Sequence, residues 1–201
     1  MAIVGKPTDT LRDLDLRINS KTVLFFDMDG TLIDTNFANF LSYKDAIHQV
    51  IKPDIDILYN SNERFNRDVL KKVILNLPNE EYEKIINLKN ELYIFHLSET
   101  KLNDLLADLL RKYSKTNKTI LVTNCLKERA LMTLEYHKLI DNFSYKFYKQ
   151  ITDNNDKINK YSNALISLEI PPTSVLVFEN EKSEINTAIL AGIPFQNIIS
   201  I

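Results

Sequence analysis

The chain has few of the features that place a protein outside the cell or in a membrane. Its 201 residues include a single cysteine, Cys125, which cannot form a disulfide within the chain. Residues 1–21 alternate charged and apolar side chains and do not resemble a signal peptide. No stretch approaches the roughly 18 to 20 apolar residues that a membrane span requires. We therefore expect a cytoplasmic protein with no membrane partner.

A strong excess of either charge is also missing. The 25 Lys and Arg residues nearly balance the 27 Asp and Glu residues, and the sequence pI is about 6.0. Proteins that bind nucleic acid by neutralising many phosphates need a basic excess, so we expect no nucleic-acid partner and a small substrate. The 44% hydrophobic content suffices for a packed core, and the length fits one domain, with or without a small insert.

The most informative stretch covers residues 23–32 and reads VLFFDMDGTL. Its apolar residues do not alternate with polar ones, which is typical of a strand buried on both faces of a parallel sheet. Asp27 and Asp29 follow at its carboxyl end, where open α/β sheets bind ligands. The alternative is an Asp29-Gly30 turn between two antiparallel strands. A helical pattern after Asn36 disfavours that alternative, because no second strand pairs back.

More than eighty residues separate this strand from the next strand candidate, at residues 119–123. The intervening residues place apolar side chains at the three-to-four spacing of helices. We therefore predict a compact helical insert at residues 36–97. The remaining core would consist of residues 1–35 and 98–201.

Helix and strand patterns alternate through the rest of the chain, which predicts an α/β fold with a parallel sheet. A leucine-rich stripe predicts one helix, with Thr100 as its cap, that returns the chain to the sheet. The further predicted helices lie at residues 127–137, 160–168 and 183–191, and the further strands at residues 145–148, 174–178 and 197–200.

The sequence Asp27-Met28-Asp29-Gly30-Thr31 resembles the nucleophile motif, Asp-x-Asp-Gly-Thr, of the haloacid dehalogenase superfamily. The resemblance extends through four motifs, from position 21 to about position 195. It implies a Rossmann-like parallel sheet with helices on both faces and a small all-helical cap domain after the nucleophile motif. Caps of this kind close over the site and exclude water.

The two acids suit phosphate chemistry that a metal assists. Asp27 at the strand end can attack phosphorus and form an aspartyl-phosphate, which splits one difficult hydrolysis into two easier steps. Asp29 can protonate the departing alkoxide and then deprotonate the attacking water. The concentration of carboxylates suits Mg²⁺. The resemblance implies that Asp27 and the main-chain carbonyl of Asp29 bind this ion.

The second motif matches at Thr123 and Asn124, which follow an apolar strand. The Thr123 hydroxyl can donate a hydrogen bond to a phosphoryl oxygen, and Asn124 can contribute its backbone amide. Taken alone, the pair is as readily explained as the cap of the following helix. We predict that both residues bind the substrate phosphate.

The third motif is a lysine that balances the charge of the nucleophile and the phosphate. Lys157 and Lys160 are the two candidates. We favour Lys157, because its distance along the chain to Glu179 fits the separation usual in the family, and Lys160 is the alternative. The Lys-Pro pair of many relatives is missing here.

The fourth motif is the apolar strand that ends in Glu179 and Asn180. Relatives usually place two acids here, and both residues are predicted to bind the metal. Asn180 stands at the position of the second acid, which removes one negative charge but leaves an oxygen that can coordinate. Glu184 could compensate, or it could belong to a solvated start of the next helix.

Together these residues predict a Mg²⁺-dependent phosphatase that hydrolyses a small phosphorylated metabolite through an aspartyl-phosphate. A sugar-phosphate phosphomutase of the same superfamily is the nearest alternative. A binding or regulatory protein that keeps the fold but turns over slowly is the other, and Asn180 is its only hint.

Overall fold

The computed structural model describes residues 11–52, 56–150 and 158–201. The chain divides into two compact units. The first, called here the core unit, comprises the chain up to Leu32 together with Leu102–Ile201. The second, the helical unit, comprises Ile33–Lys101. These compact units meet at 32/33 and 101/102, and the domain limits predicted from the sequence were 35/36 and 97/98.

The core unit contains a five-stranded parallel sheet in the order β5-β4-β1-β6-β7. Strand β1 lies at its centre and pairs with β4 on one side and β6 on the other. Every residue of β1, β4 and β6 is buried, which explains why these strands read as continuous apolar runs. The strands are β1 (Val23–Phe26), β4 (Thr119–Val122), β5 (Tyr145–Phe147), β6 (Val175–Glu179) and β7 (Ile198–Ser200).

Helices cover the sheet, and the predicted α/β fold is confirmed. On one face, Tyr161 and Ala188 pack against Phe25, Ile120 and Val177. The helices of this unit are α1 (Leu11–Arg17), α5 (Asp104–Tyr113), α6 (Lys127–Tyr136), α7 (Lys160–Ser167) and α8 (Lys182–Leu190).

The cap of α5 differs from the prediction. The helix begins at Asp104, and the Asn103 side chain accepts a hydrogen bond from the backbone N–H of Leu106. The Thr100 hydroxyl instead donates to the Leu97 carbonyl. An asparagine carbonyl and a threonine hydroxyl can both cap a helix, so position relative to the first turn decides between them.

The helical unit contains the predicted helical insert. Its helices are α2 (Asn36–Val50), α3 (Arg67–Val73), α4 (Asn79–Leu92) and a 3₁₀ helix (Tyr93–Glu99), and the short strands β2 (Ile33–Asp34) and β3 (Lys101–Leu102) pair where the chain enters and leaves it. Phe40, Ile47, Leu70 and Ile85 are buried in its core. Among the described residues of the whole chain, no helix is both long enough and apolar enough to cross a bilayer.

Candidate active site

Three neighbouring strands of the core unit end in polar residues. Asp27 follows β1, Thr123 follows β4, and Glu179 is the last residue of β6. Because the strands are parallel and adjacent, these three side chains belong to the same edge of the sheet. All three are buried. The sheet edge thus collects polar groups where the sequence predicted them.

Asp27 is 5% exposed, and both of its carboxylate oxygens have partners. The Lys160 ammonium lies 2.7 Å from Oδ1, and the Thr31 hydroxyl lies 3.3 Å from Oδ2. Burial raises the pKa of Asp27 to about 7, the positive charge of Lys160 opposes that rise, and the negative charge of Glu179 adds to it. Nearby positive charge therefore decides how readily the buried Asp27 carboxyl group ionises.

Lys160 supplies that charge. It is the first residue of α7, it is 4% exposed, and its ammonium contacts Asp27 and Glu179 at 2.7 Å each. Burial by itself lowers the pKa of Lys160, but the two carboxylates outweigh burial and raise it above the usual lysine value. Lys160 is therefore an ammonium at neutral pH. Lys157, the lysine favoured from the sequence, lies outside the described residues.

Glu179 uses all of its acceptor capacity. Its Oε1 accepts hydrogen bonds from the backbone N–H groups of Asn180 and Glu181, both at 3.0 Å. Its Oε2 accepts from the Lys160 ammonium at 2.7 Å and from the Tyr161 hydroxyl at 2.6 Å. This geometry favours a role for Glu179 in holding Lys160, whereas direct metal binding by Glu179 would require one of these bonds to open.

Asn180 packs against the loop that carries the two acids. Its Oδ1 lies 2.9 Å from the Thr31 hydroxyl, and its backbone N–H donates to the same hydroxyl oxygen at 3.1 Å. Gly30 has a φ of +84°, and a Cβ at that position would lie 2.6 Å from Asn180 Nδ2. The positive φ favours glycine at this turn, and a larger residue would also displace the Asn180 side chain.

Asp29 forms an ion pair that was not predicted from the sequence. The Arg129 Nη2 on α6 donates to Asp29 Oδ2 at 2.7 Å, and Arg129 Nε lies 2.8 Å from the sulfur of Cys125. Both charged side chains are largely buried. Arg129 thereby joins the acid-bearing loop to the segment after β4. A hundred residues separate the partners, so no local pattern indicated the pair.

Thr123 and Asn124 lie where β4 ends. The Thr123 oxygen accepts a hydrogen bond from the backbone N–H of Cys125 at 3.1 Å, which is the turn contact expected of a hydroxyl before a helix. Its hydroxyl proton can point toward a ligand while the oxygen accepts this bond. Asn124 is half-buried beside it.

The charges and donor atoms of the cluster fit a hard divalent cation. Asp27, Glu179 and Glu184 all lie within 4 Å of the Lys160 ammonium, so three carboxyl groups surround one positive charge. Within residues 11–52, 56–150 and 158–201, no three His, Cys, Asp or Glu side chains form a ready-made metal cage. Mg²⁺ suits such a site, since it commonly takes one or two carboxylates and fills its remaining positions with water and phosphate oxygens.

Known protein families and solved structures include proteins that are similar to this chain over most of its length. A family model described as haloacid dehalogenase-like hydrolase matches residues 24–198. The comparison with curated proteins finds no match. A predicted phosphoglycolate phosphatase from Haemophilus somnus is similar in structure, with a TM-score of 0.70 and 17% identity, over 91% of this chain and 86% of that one.

Two further solved structures are similar over most of their length. CbbY from Rhodobacter sphaeroides, solved in complex with phosphate, has a TM-score of 0.68 and 16% identity, over 85% of this chain and 83% of that one. A Thermotoga maritima protein described provisionally as a beta-phosphoglucomutase has a TM-score of 0.62 and 25% identity, over 89% of this chain and 84% of that one.

Proposed function

The chain belongs to the haloacid dehalogenase-like hydrolase family, and on that premise we propose that it is a Mg²⁺-dependent phosphatase acting on a small phosphate monoester. The phosphatases among its structural neighbours support an enzyme of this class. The observation that carries the proposal is the buried Asp27 carboxylate, held at the end of the central strand by a buried lysine 2.7 Å away.

Asp27 is the proposed nucleophile. One carboxylate oxygen attacks phosphorus as the bond between phosphorus and the leaving oxygen breaks, and an aspartyl-phosphate results. Asp29 enters this step as the protonated acid, which requires its ion pair with Arg129 to open. It gives its proton to the leaving oxygen and then takes one from the water that attacks the aspartyl-phosphate. That second attack releases inorganic phosphate and restores the Asp27 carboxylate.

The positive charge and the donors around Asp27 serve the transferring phosphoryl group. Lys160 offsets the negative charges of the nucleophile and the phosphate, which would otherwise repel each other. Thr123 and the backbone amide of Asn124 donate hydrogen bonds to the phosphoryl oxygens in this proposal. We assign the motif lysine to Lys160, because its ammonium contacts Asp27 directly. The choice of Lys157 rested on its spacing to Glu179 and on its position before an apolar helix face.

The proposed metal ligands are Asp27, the main-chain carbonyl of Asp29 and the Asn180 side-chain oxygen. When bound, Mg²⁺ supplies positive charge that draws the phosphate toward Asp27 and stabilises the charge that develops during transfer. Glu179 is proposed to act through Lys160 rather than at the metal, because four donors already occupy its oxygens. Glu184 is buried near the same ammonium, at 3.8 Å.

Hydrolysis of a generic aryl phosphate, with and without Mg²⁺, tests the proposal. Wild-type protein should release the phenol only with the metal. The variant Asp27→Asn should release none, because an amide oxygen is a poor nucleophile. Metal-dependent turnover that survives in Asp27→Asn would exclude Asp27 as the nucleophile. Phosphate binding without turnover in the wild type would favour the binding-protein alternative, which the neutral Asn180 suggests.

A phosphomutase is the second candidate, and the likeness to the Thermotoga maritima protein favours it. A mutase must keep its aspartyl-phosphate until a second sugar phosphate accepts the group. Isotopically labelled phosphoryl groups distinguish the two reactions. A phosphatase delivers the label to inorganic phosphate, and a mutase delivers it to the acceptor sugar phosphate.

A further inference from the structure

Tyr161 follows Lys160 directly and is fully buried. Its ring packs in the hydrophobic core on one face of the sheet, beside Val177 and Ala188. An apolar position such as this one usually needs no hydroxyl. Here the hydroxyl nevertheless donates a short hydrogen bond, 2.6 Å long, to Glu179 Oε2. The proposed reaction does not use Tyr161, so the bond calls for a separate explanation.

The oxygen that accepts this bond is the one that holds the catalytic lysine. Lys160 Nζ lies 2.7 Å from the same Oε2 of Glu179 and 2.7 Å from Asp27 Oδ1. The ammonium thus contacts two carboxylates at hydrogen-bond distance, with the Glu184 carboxyl group farther away at 3.8 Å. Its position depends on how strongly each of these groups attracts it. The Tyr161 ring also lies close to it, with 5.0 Å between Nζ and the ring centroid.

We propose that Tyr161 is a positioning residue that holds the Glu179 carboxylate and, through it, sets the place of the Lys160 ammonium beside Asp27. The inference rests on the proposed phosphatase function. The Tyr161 hydroxyl donates a hydrogen bond to Glu179 Oε2, and this bond weakens the attraction of that oxygen for the Lys160 ammonium. The ammonium is then shared between Glu179 and Asp27 and can follow the phosphoryl group.

Without the hydroxyl, Lys160 is the one remaining donor to Oε2 among the residues that the structure describes, since the two other donors lie on Oε1. The buried Glu179 carboxylate then attracts the ammonium more strongly and draws it away from Asp27. Positive charge moves away from the reacting groups, and the transition state loses stabilisation. Substrate binding that relies on Thr123 and the backbone is affected less.

The test is Tyr161→Phe, with Tyr113→Phe as its matched control. Tyr113 also donates its hydroxyl to a carboxylate, that of Asp15 at 2.9 Å, in the same unit. Using an aryl phosphate and Mg²⁺, we expect kcat per folded molecule to fall about tenfold or more in Tyr161→Phe, with KM within about threefold. Tyr113→Phe should stay close to wild type in both constants.

A second substitution separates positioning from a merely structural role. If Tyr161 acts through Lys160, then Tyr161→Phe should lower kcat no further in a Lys160→Met background. Two independent, multiplying losses would overturn the proposal, and so would a wild-type kcat in Tyr161→Phe. An inactive wild-type protein would instead count against the proposed function, which distinguishes the two failures.

If the Tyr161→Phe variant does not fold, its kinetics cannot be used. Nuclear magnetic resonance of the wild-type protein then tests the proposal. The Tyr161 hydroxyl proton and the Lys160 ammonium protons share one acceptor, so they should exchange slowly with water and show a cross-relaxation signal to each other. Rapid exchange without that signal would overturn the proposal.

Discussion

The core unit and the helical unit each bury a lysine, but in different surroundings. In the core unit, Lys160 contacts Asp27 and Glu179 at the end of the sheet. In the helical unit, Lys89 is 5% exposed, and its ammonium lies 5.1 Å from the Tyr43 ring centroid and 5.8 Å from that of Tyr93. The Lys160 ammonium thus contacts carboxyl groups at the end of the sheet, whereas the Lys89 ammonium lies near two tyrosine rings within the helical unit.

Replacing the lysine of the core unit should have the largest effect. Lys160→Met keeps much of the side-chain length but removes the charge that Asp27 and the phosphate both need. We expect kcat to fall about 10²–10³-fold on an aryl phosphate with Mg²⁺. Steady-state kinetics on folded protein measures this. Near-normal turnover would show that another cation, such as Lys157, is the motif lysine.

Without a metal ion, the free energy of unfolding should depend on pH because the Asp27 carboxyl group of the core unit is buried. Burial raises the folded-state pKa of Asp27 to about 7, whereas its ordinary value is 3.8. Between these two pH values the folded protein therefore keeps a proton that the unfolded chain has lost. This group's contribution to the free energy of unfolding should therefore fall as the pH rises from about 4 to about 7, and stay level above. Urea unfolding with a chelator at several pH values measures the slope.

Asp27→Asn provides the control, because an amide does not titrate. The variant should lose the part of the slope that Asp27 contributes. An identical slope in wild type and Asp27→Asn would contradict a raised pKa for this carboxyl group.

Placing an acid at position 180 should strengthen Mg²⁺ binding at the core-unit site. Asn180→Asp adds a negative charge next to the proposed metal ligands, so we expect the Mg²⁺ concentration for half-maximal activity to fall about tenfold. Asn163→Asp makes the same change on α7. An equal shift in both variants would indicate a general charge effect instead of a ligand at Asn180.

Replacing the lysine of the helical unit should have the smallest effect on turnover. Lys89→Met removes a charge that faces two tyrosine rings but keeps an apolar side chain in the same space. We expect kcat to stay within about twofold of wild type and the unfolding free energy to change by about 1–2 kcal/mol. Chemical denaturation and kinetics on the same preparation measure both. A large loss of kcat would show that Lys89 takes part in the reaction.

The sheet and the strand-end acids were predictable because they are local features. A continuous apolar run followed by a polar residue identifies β1, β4 and β6, and this pattern predicted Asp27, Thr123 and Glu179 at the carboxyl ends. The family resemblance was confirmed by the match over residues 24–198. The roles of the individual site residues stay predictions.

The partners within the site were not predictable, because they depend on how distant segments meet. Tyr161 falls in the helix predicted at residues 160–168, but a helix pattern gives no partner for its hydroxyl. Arg129 pairs with an aspartate a hundred residues away. The choice between Lys157 and Lys160 rested on spacing along the chain and on the apolar helix face that follows. In the structure, helix α7 begins at Lys160, and the Lys160 ammonium contacts Asp27.

Trapping the covalent intermediate tests the central claim most directly. Protein mixed with an isotopically labelled phosphate monoester and Mg²⁺, then quenched in acid and digested, should carry the label on the peptide that contains Asp27. The same treatment of Asp27→Asn should give no labelled peptide. Rapid release of the alcohol by the wild type with no labelled protein, or with the label on another residue, would contradict an aspartyl-phosphate at Asp27.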